Sequence, residues 1–592
     1  MSARTLLRTG LNVPRCAVFP RHITSSLLPT PRLITTQALP QPTQPRSFFR
    51  RPGLLLGLLA VPLFATPLYL DSDDPSNEHP PTLTTLTNRD LVRAYVVYTM
   101  CSFPTIVDLG PKIIDWCYAT RIPGVKWIME KIVRVTFFEQ FAGSDTIEGS
   151  APIVERLAAR GVGTLFAYSV EADQNSVVEL SSDDAKGTGS TTASSTSLNQ
   201  DLVSANLRSV EFASHMNVAS GADTAVAMKV SGMLKDPAVL IRVSSAVLPR
   251  NMFTSNSHTA LTKAGLLEQV QSSLSSSDRD ALNELVEVFR EAGRLAQPGN
   301  VKVIIDAEQS WLQPAIDVIF LAVARELRNP LTTTASWSQS FSNLTHEKAS
   351  LPTFYMTLQT SLKRSQPLLQ ALLDDAQTHS YPLGVKLVRG AYVDQEHKAA
   401  ASIDVPTAAW ESKQETDVCY NTCATILVDG VASSVAESNK YPSLGAMFAS
   451  HNRHSVALVV ELMKTKGLVR TAAGPGSDKS DETLVMNKGV SSRISFGQLY
   501  GMADDITDGL GRNLLTPDGS KAVYKYLPYG PLDRVIPYLV RRAKENKSVM
   551  AAGASGGGAY EEKKRIKGEV KRRVKGWWKG EEDVTRAAPV KA

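Results

Sequence analysis

The feature of this 592-residue sequence that most restricts its fold is an alternation that repeats eight times. Each repeat has a short apolar, β-prone run followed by a longer amphipathic stretch. Short apolar runs of this kind are typical of parallel strands that helices cover on both faces. The eight runs are TLFAYSV (164–170), VAMKVSG (226–232), VKVIIDA (301–307), TFYMTLQ (353–359), VKLVRGA (385–391), GAMFAS (445–450), RISFGQL (493–499) and AVYKYL (522–527).

Eight such units predict an α/β fold, a (β/α)8 TIM-like barrel with insertions. Enzymes with this fold place their chemistry at the C-terminal ends of the strands. A single polar residue at a strand end is most simply an ordinary loop residue. Polar residues at most of the eight strand ends favour an active site. The residues at these ends are Glu171, Asp306, Gln359, Tyr392, His451, Gln498 and Tyr526, and Lys229 and Lys386 lie within two further runs.

Other segments flank or interrupt the predicted barrel, which we place at residues 161–551. Residues 71–160 are expected to form an N-terminal helical arm, because apolar residues recur there at helical spacing. Residues 172–206 contain the low-complexity run SSDDAKGTGSTTASSTS, which predicts a mobile loop. Residues 552–592 combine a glycine-rich linker with a basic tail.

The N-terminal composition is typical of a mitochondrial transit peptide, which we assign to residues 1–52. The first 70 residues hold eight arginines, no lysine and no acid, and they are rich in Ser and Thr. Residues 53–70 are uncharged and reach the lower limit of a membrane span, but Pro62 and Pro67 weaken a helix there. A membrane anchor and an extension of the targeting region both stay open.

The basic tail predicts an amphipathic helix. Nine Lys and Arg residues lie between positions 563 and 579. Such a helix suits an anionic membrane surface, and a solvated basic tail is the alternative. The apolar residues that recur at helical spacing are Ile566, Val570, Val574, Trp577 and Trp578.

Charge and cysteine usage exclude several classes of protein. The net charge of +6 is unevenly distributed. The N-terminal segment contributes eight arginines and residues 561–592 a surplus of five positive charges, so the segment between them has a net charge of −7. A nucleic-acid-binding protein would carry its positive charge on the folded domain, so no nucleic acid is expected as a partner. Five cysteines form no paired framework, and Cys419 and Cys423 are expected to be packed thiols on one helix. No metal site is predicted, and neither GxGxxG after a strand nor a phosphate-binding P-loop is present.

A helix near the end of the predicted barrel carries a candidate anion site. Pro531 is suited to a first helical position, and an apolar face follows it. The opposite side combines a tyrosine, two adjacent arginines and a glutamate at positions i, i+3, i+4 and i+7. Paired guanidinium groups suit a small carboxylate, although a charged helix face is more often only solvated. These residues are Tyr538, Arg541, Arg542 and Glu545.

Several motifs, in order along residues 140–550, resemble those of the proline dehydrogenase family. They are IIDAEQSWLQPAID (304–317), KLVRGAYVDQE (386–396), ASHNRHS (449–455), FGQLYGMADDIT (496–507) and YKYLPYGP with PYLVRRAKEN (524–546). The resemblance implies a distorted barrel that holds non-covalent FAD. It also implies oxidation of L-proline to 1-pyrroline-5-carboxylate, transfer of electrons to ubiquinone, and a place on the matrix side of the mitochondrial inner membrane.

The resemblance also implies roles for individual residues. Arg541, Arg542 and Lys229 would bind the substrate carboxylate, Asp306 would hold this cationic cluster, and Glu171 would pair with an arginine as a gate. The residues expected around the substrate ring are Tyr392, Tyr526 and Tyr538. Lys386 corresponds to the basic residue at the reactive nitrogen of the flavin. The other residues that match flavin contacts are Gln359, Val388, Ala391, Ser450, His451, Asn452 and Glu545.

Three other functions are compatible with a barrel of this kind. A hydroxyproline dehydrogenase shares the fold and cofactor. The resemblance implies a smaller residue at the position of Tyr526 in that branch, so the tyrosine here favours proline. A barrel lyase would use Lys229 or Lys386 as a Schiff-base amine. A non-catalytic membrane scaffold is the third, and the set of motif residues argues against it.

Overall fold

The computed structural model describes residues 86–169, 197–248, 266–326, 351–437, 442–472, 483–551 and 558–579. Eight parallel strands in this part of the chain close into a barrel in the order β1-β11-β9-β6-β5-β4-β3-β2. The prediction of a (β/α)8 barrel is therefore confirmed. The strands are β1 (Val162–Tyr168), β2 (Thr224–Met228), β3 (Lys302–Ile305), β4 (Phe354–Gln359), β5 (Leu383–Val388), β6 (Leu444–Ala449), β7 (Val469–Thr471), β8 (Leu484–Met486), β9 (Ile494–Leu499), β10 (Leu514–Leu515) and β11 (Val523–Tyr529).

Helices precede, surround and follow the barrel in the described residues. The α-helices are α1 (Asn88–Cys101), α2 (Pro104–Ala119), α3 (Val125–Val133), α4 (Glu139–Phe141), α5 (Ala151–Ala159), α6 (Gln200–Ser220), α7 (Ala238–Val247), α8 (Leu266–Ser273), α9 (Ser276–Ala296), α10 (Gln313–Glu326), α11 (Ser365–His379), α12 (Val393–Ser402), α13 (Lys413–Ala436), α14 (Arg453–Thr465), α15 (Asp504–Asn513), α16 (Leu532–Ala551) and α17 (Gly558–Lys579). A π-helix, Arg134–Phe138, joins α3 to α4.

Two tyrosines fill the N-terminal end of the barrel interior. Tyr355 on β4 and Tyr524 on β11 are fully buried among inward-facing side chains of the other strands. Glycines on β5 and β6 make room for the Tyr355 ring, since a Cβ at Gly384 would lie 2.6 Å from this ring and one at Gly445 would lie 2.9 Å from it. Such approaches are closer than carbon atoms tolerate, so these two strands require glycine there. The barrel is a packed core at this end, and its open end lies at the C-terminal ends of the strands.

The structure corrects details of the predicted elements. The strand ends earlier than the apolar run 226–232 does, because β2 spans Thr224–Met228 and Lys229 follows it. The last part of the predicted loop 172–206 is helical, since α6 begins at Gln200 after Asn199, whose side chain accepts a hydrogen bond from the Leu202 amide. A small sheet of β7, β8 and β10 packs outside the barrel and was not predicted.

The basic tail helix α17 lies along α1. Ile566 is buried in a cluster with Leu91, Ala94 and Tyr98, and Val570 packs against this cluster. The first half of the predicted apolar stripe therefore faces protein, whereas Val574 and Trp578 are exposed.

Among the described residues, α13 is the one helix with the length and composition of a membrane span. Its buried residues include Cys419, Cys423 and Leu427, which belong to the main core around the barrel. The helix therefore packs as part of the domain.

Candidate functional site

Period-two alternation along the strands brings the predicted site residues together. The inward-facing series on β2, β3 and β4 each end in a polar residue, and the series on β5 includes Lys386, because successive side chains on a strand point to opposite faces. The parallel pairing of the strands aligns these ends at one mouth. The inward residues at the mouth are Lys229, Asp306, Thr357, Gln359, Lys386 and Tyr526.

A buried ion pair lies at the centre of this mouth. Lys386 Nζ on β5 lies 2.5 Å from Asp306 Oδ1 after β3, and both side chains are less than a tenth exposed. The Tyr526 hydroxyl donates to Asp306 Oδ2 at 3.1 Å, and the ammonium of Lys386 lies 5.2 Å from the centre of the Tyr526 ring. Thr357 Oγ1 donates to Asp306 Oδ1 at 3.4 Å. This carboxylate therefore has three donors, which compensate the cost of burying it.

Lys229 and Tyr392 form a second contact at the mouth. Lys229 Nζ donates to the Tyr392 hydroxyl at 3.3 Å, and Tyr392 is buried. Tyr392 follows Gly390 in the RGAY motif, where φ is +116°, a value that L side chains rarely adopt. A side chain at Gly390 would also collide with Ser361. The glycine therefore sets the path of the loop that brings Tyr392 to Lys229.

Two of the quoted motifs bind one another through their polar residues. The Ser310 amide and hydroxyl donate to the carboxylate of Glu396 at 2.8 and 2.5 Å. Gln359 Nε2 donates to the Glu308 carbonyl at 2.7 Å, and the Glu308 side chain accepts from the Ser231 amide at 2.9 Å. These buried bonds fix the loops after β2, β3 and β5 relative to the end of β4.

The segment Ser450–His451–Asn452 joins β6 to α14. The Asn452 side chain caps α14 by accepting from the amides of His454 and Ser455. His451 Nε2 accepts a hydrogen bond from the Leu499 amide at 3.0 Å. Desolvation, together with the nearby positive charges of Lys525 and Arg542, lowers the pKa of His451 to about 3. The imidazole is therefore neutral at physiological pH, with its proton on Nδ1.

Helix α16 places a buried arginine and tyrosine beside the mouth. Tyr538 and Arg542 are buried, and the guanidinium carbon lies 4.9 Å from the centre of the tyrosine ring. Arg542 donates to Glu545 at 2.6 Å. Burial raises the pKa of the Tyr538 hydroxyl to about 12, while the positive charges of Arg542, Arg541 and Lys229 oppose this rise. The charged side of this helix faces protein at Tyr538 and Arg542, so the solvated alternative does not apply to these two residues.

Two buried hydrogen-bond donors on α16 lack an acceptor in the part of the chain that the structure describes. The Tyr538 hydroxyl and Arg542 Nε are buried and have no hydrogen-bond partner among the described residues. Leaving a buried polar group unpaired costs about 1–3 kcal/mol. Such atoms are suited to a bound polar ligand.

The other predicted site residues differ in what the structure shows of them. Val388 ends β5, and its carbonyl accepts from the Thr360 amide at 2.8 Å. Ala391 is exposed, and Glu171 lies outside the described residues. The observed partners of Asp306 are Lys386, Tyr526 and Thr357. Its expected role in holding Lys229 and the two arginines stays a prediction.

Sequence reasoning missed two basic residues that support the site. Arg389 donates to Asp417, to Ser450 Oγ at 2.6 Å and to Ser455 at 2.8 Å. Lys525, which is almost fully buried, pairs with Asp504 at 2.7 Å. A charged residue within an otherwise apolar strand run was the available signal for Lys525.

The family model described as proline dehydrogenase matches residues 167–553. A relative named "Proline dehydrogenase 2, mitochondrial" from Arabidopsis thaliana is 27% identical, and the match covers 82% of this chain and 88% of the relative. A relative named "Hydroxyproline dehydrogenase" from Xenopus laevis is 26% identical, covering 82% of this chain and 87% of the relative.

A solved structure with a similar fold is proline utilization A from Bdellovibrio bacteriovorus inactivated by N-propargylglycine. It is 16% identical with a TM-score of 0.49, and the match covers 79% of this chain and 43% of that one. The chain thus spans less than half the length of this structure. The family match extends over more than half of the chain and includes all eight barrel strands except the first residues of β1. The chain belongs to the proline dehydrogenase family.

Proposed function

We propose that this protein oxidises L-proline to 1-pyrroline-5-carboxylate with FAD and passes the electrons to ubiquinone. The observation that carries the proposal is a division of the barrel mouth. Most residues expected to contact the flavin lie on or directly after the consecutive strands β4, β5 and β6, whereas most of those expected to bind proline lie on or after β2, β3 and β11 or on α16. Glu545 on α16 and Tyr392 after β5 are the exceptions. Two ligands could therefore lie face to face between these two sides.

The substrate side suits an amino acid carboxylate. Arg542 and Tyr538 present buried donors without partners, and Lys229 and Arg541 add positive charge close to the Tyr538 hydroxyl. Charge-assisted hydrogen bonds in a site with little water are stronger than neutral ones. Tyr392 and Tyr526 supply aromatic walls for the apolar part of a proline ring.

The cofactor side suits a flavin. Lys386 offers a buried ammonium, and His451 offers an Nδ1–H donor that stays neutral. The bound flavin supplies the acceptor for the hydride that leaves the carbon next to the proline nitrogen, a step no side chain can perform. The chain itself positions the ring, excludes water and places the Lys386 cation where negative charge develops.

Two alternatives make different use of the same residues. In a Schiff-base lyase, the Lys386 amine would have to be free to attack a carbonyl, but this side chain forms a buried ion pair with Asp306. A hydroxyproline dehydrogenase would need space at Tyr526, whose hydroxyl donates to Asp306 and whose ring lies against the cation of Lys386. We therefore favour proline as the substrate. Because one relative is named "Hydroxyproline dehydrogenase", hydroxyproline is the alternative substrate to test.

We further propose that the protein works in mitochondria at the matrix side of the inner membrane. Relatives with mitochondrial in their names support the compartment. The acid-free, arginine-rich residues 1–52 are proposed as the transit peptide and residues 53–70 as a possible anchor, and both lie outside the described residues. We place the catalytic barrel at residues 161–551, preceded by the arm at 71–160 and followed by the tail at 552–592.

The proposal predicts a flavin that proline reduces. Purified protein should show the absorption band of an oxidised flavin, and anaerobic addition of L-proline should bleach it. Hydroxyproline should bleach it more slowly. A colourless protein that turns over no proline would exclude the proposed function.

The carboxylate clamp can be tested on α16. Arg542→Met and Arg541→Met should each lower kcat/KM for proline at least about tenfold, because a hydrogen bond to a charged group contributes about 1.5–3 kcal/mol. FAD content should stay normal. Arg534→Met, which removes an exposed guanidinium on the same helix, is the matched control and should change neither quantity. Normal kinetics in both variants would remove the arginines from the substrate site, and lost FAD would assign them to the cofactor.

Tyr526 should set the preference for proline. Tyr526→Ser removes the ring and opens space, so proline oxidation should weaken more than hydroxyproline oxidation. Tyr526→Phe keeps the ring and loses only the bond to Asp306, so it should retain the preference. The measurement is the ratio of the two kcat/KM values, and an unchanged ratio in Tyr526→Ser would place Tyr526 outside the pocket.

His451 should contribute to acid sensitivity. Its pKa is about 3 in the folded protein against 6.5 for an unperturbed histidine, so the unfolded chain binds the proton first and stability falls as the pH drops below 6.5. At pH 5 this loss is about 2 kcal/mol relative to pH 7. His451→Gln should reduce the difference in unfolding free energy between these pH values by that amount, measured by denaturant titration. His454→Gln changes an exposed histidine nearby and serves as control. An equal pH dependence in wild type and His451→Gln would refute this contribution.

A further inference from the structure

Exposed apolar side chains are concentrated in one short segment. Of the fifteen large hydrophobic residues that are exposed among the described residues, eight lie between positions 103 and 135. We call residues 103–135, which comprise α2, the connecting turn and α3, the arm hairpin. Single exposed apolar residues are normal, but a cluster of them marks an interaction surface. The eight are Phe103, Leu109, Ile113, Trp116, Ile122, Trp127, Ile128 and Val135.

Helix α2 is apolar on two separate sides. Val107 and Cys117 are buried on its inner side. Leu109, Ile113 and Trp116 follow one another at i, i+4 and i+7 on another side and are all exposed. A surface helix in water normally presents polar residues on its outer face. The outer face of α2 therefore has the composition of a face that is covered.

The turn and α3 extend the same kind of surface. Ile122 is 57% exposed and Trp127 is 67% exposed, with Ile128 beside it. Trp116 is 49% exposed. Tryptophan favours the boundary between lipid head groups and acyl chains, because its ring is apolar and its N–H is polar. Two exposed tryptophans in one hairpin suit that boundary.

The charges of the arm hairpin favour an anionic surface. Its acids are partly engaged, since Asp108 pairs with Lys547 and Glu130 with Lys126. Asp115 is the remaining exposed acid. Three cations, Lys112, Arg121 and Lys131, are exposed and form no ion pair within the described ranges. Each Lys or Arg near an anionic membrane contributes about 1 kcal/mol to its binding.

We infer that the arm hairpin is a surface that inserts into the head-group layer of an anionic bilayer. The inference rests on the proposed function only in that electrons must reach a membrane quinone. The inner side of α2 supports the connection to the active site, because Val107 and the substrate-side Tyr538 belong to one apolar cluster. A cleft of about 540 Å³ between α3 and the start of α16 opens next to Trp127. The bilayer would thus lie one helix away from the helix that carries the carboxylate clamp.

Photolabelling from the lipid can locate the contact. The full chain is bound to vesicles of phosphatidylcholine and cardiolipin that contain a lipid with a diazirine in its acyl chain, and labelled peptides are identified after illumination. We expect label within residues 103–135. The double variant Trp116→Glu, Trp127→Glu should lower that label at least about tenfold, a change that requires only about 1.4 kcal/mol.

A matched control and a second readout separate the possible outcomes. Val218→Glu, Val418→Glu changes two exposed valines on the barrel helices α6 and α13 and should leave the label in residues 103–135 unchanged. Bleaching of the flavin by proline, measured on the same samples, should be unchanged in both double variants and reports the proposed function independently. Binding with label only in residues 53–70 or 558–579 would overturn the inference. An unlabelled arm hairpin in a protein whose flavin proline still reduces would also overturn the inference. It would assign this surface to a protein partner.

Discussion

The pairing of the first barrel strand with the last is the constraint on which the site depends. β1 and β11 pair in parallel from Val162 with Val523 to Tyr168 with Tyr529. This pairing closes the sheet, so that inward residues from strands far apart in sequence face one another across the mouth. Asp306 thereby contacts Lys386, 80 residues away, and Tyr526, 220 residues away. In an open sheet the strands that carry Asp306 and Tyr526 would not meet across an interior.

The electrostatics of the mouth follow from this convergence. A buried ammonium is tolerated because Asp306 compensates it, and a buried carboxylate is tolerated because it has three donors. Removing one member of such a pair typically costs about 3–5 kcal/mol, since it leaves the other charge buried alone. Positive charge also acts on His451, whose protonation is opposed first by burial and then by the charges of Lys525 and Arg542. The mouth therefore combines a buried ion pair with a neutral imidazole.

The sequence predicted the barrel because buried parallel strands leave short apolar runs that end in polar residues. All eight runs overlap barrel strands. The end of β2 could not be located, since the residues after Lys229 are as apolar and as buried as the strand itself, including Val230 and Met233. The small outer sheet has strands of two or three residues, which are too short to show a period. Arg389 was missed because its importance lies in partners that only the tertiary structure brings together.

The residues before the barrel complete the site from outside. Phe138 and Phe141, which follow the arm hairpin, pack with Tyr538 and Leu539 of α16 in one apolar cluster. The Gln140 side chain donates to the Gly501 carbonyl at 3.2 Å, and the Tyr98 hydroxyl donates to the same carbonyl at 2.8 Å. The barrel orients the inner residues of the mouth, but the arm covers the outer side of the helix that carries Arg542. The position of Arg542 therefore depends on both the barrel and the arm.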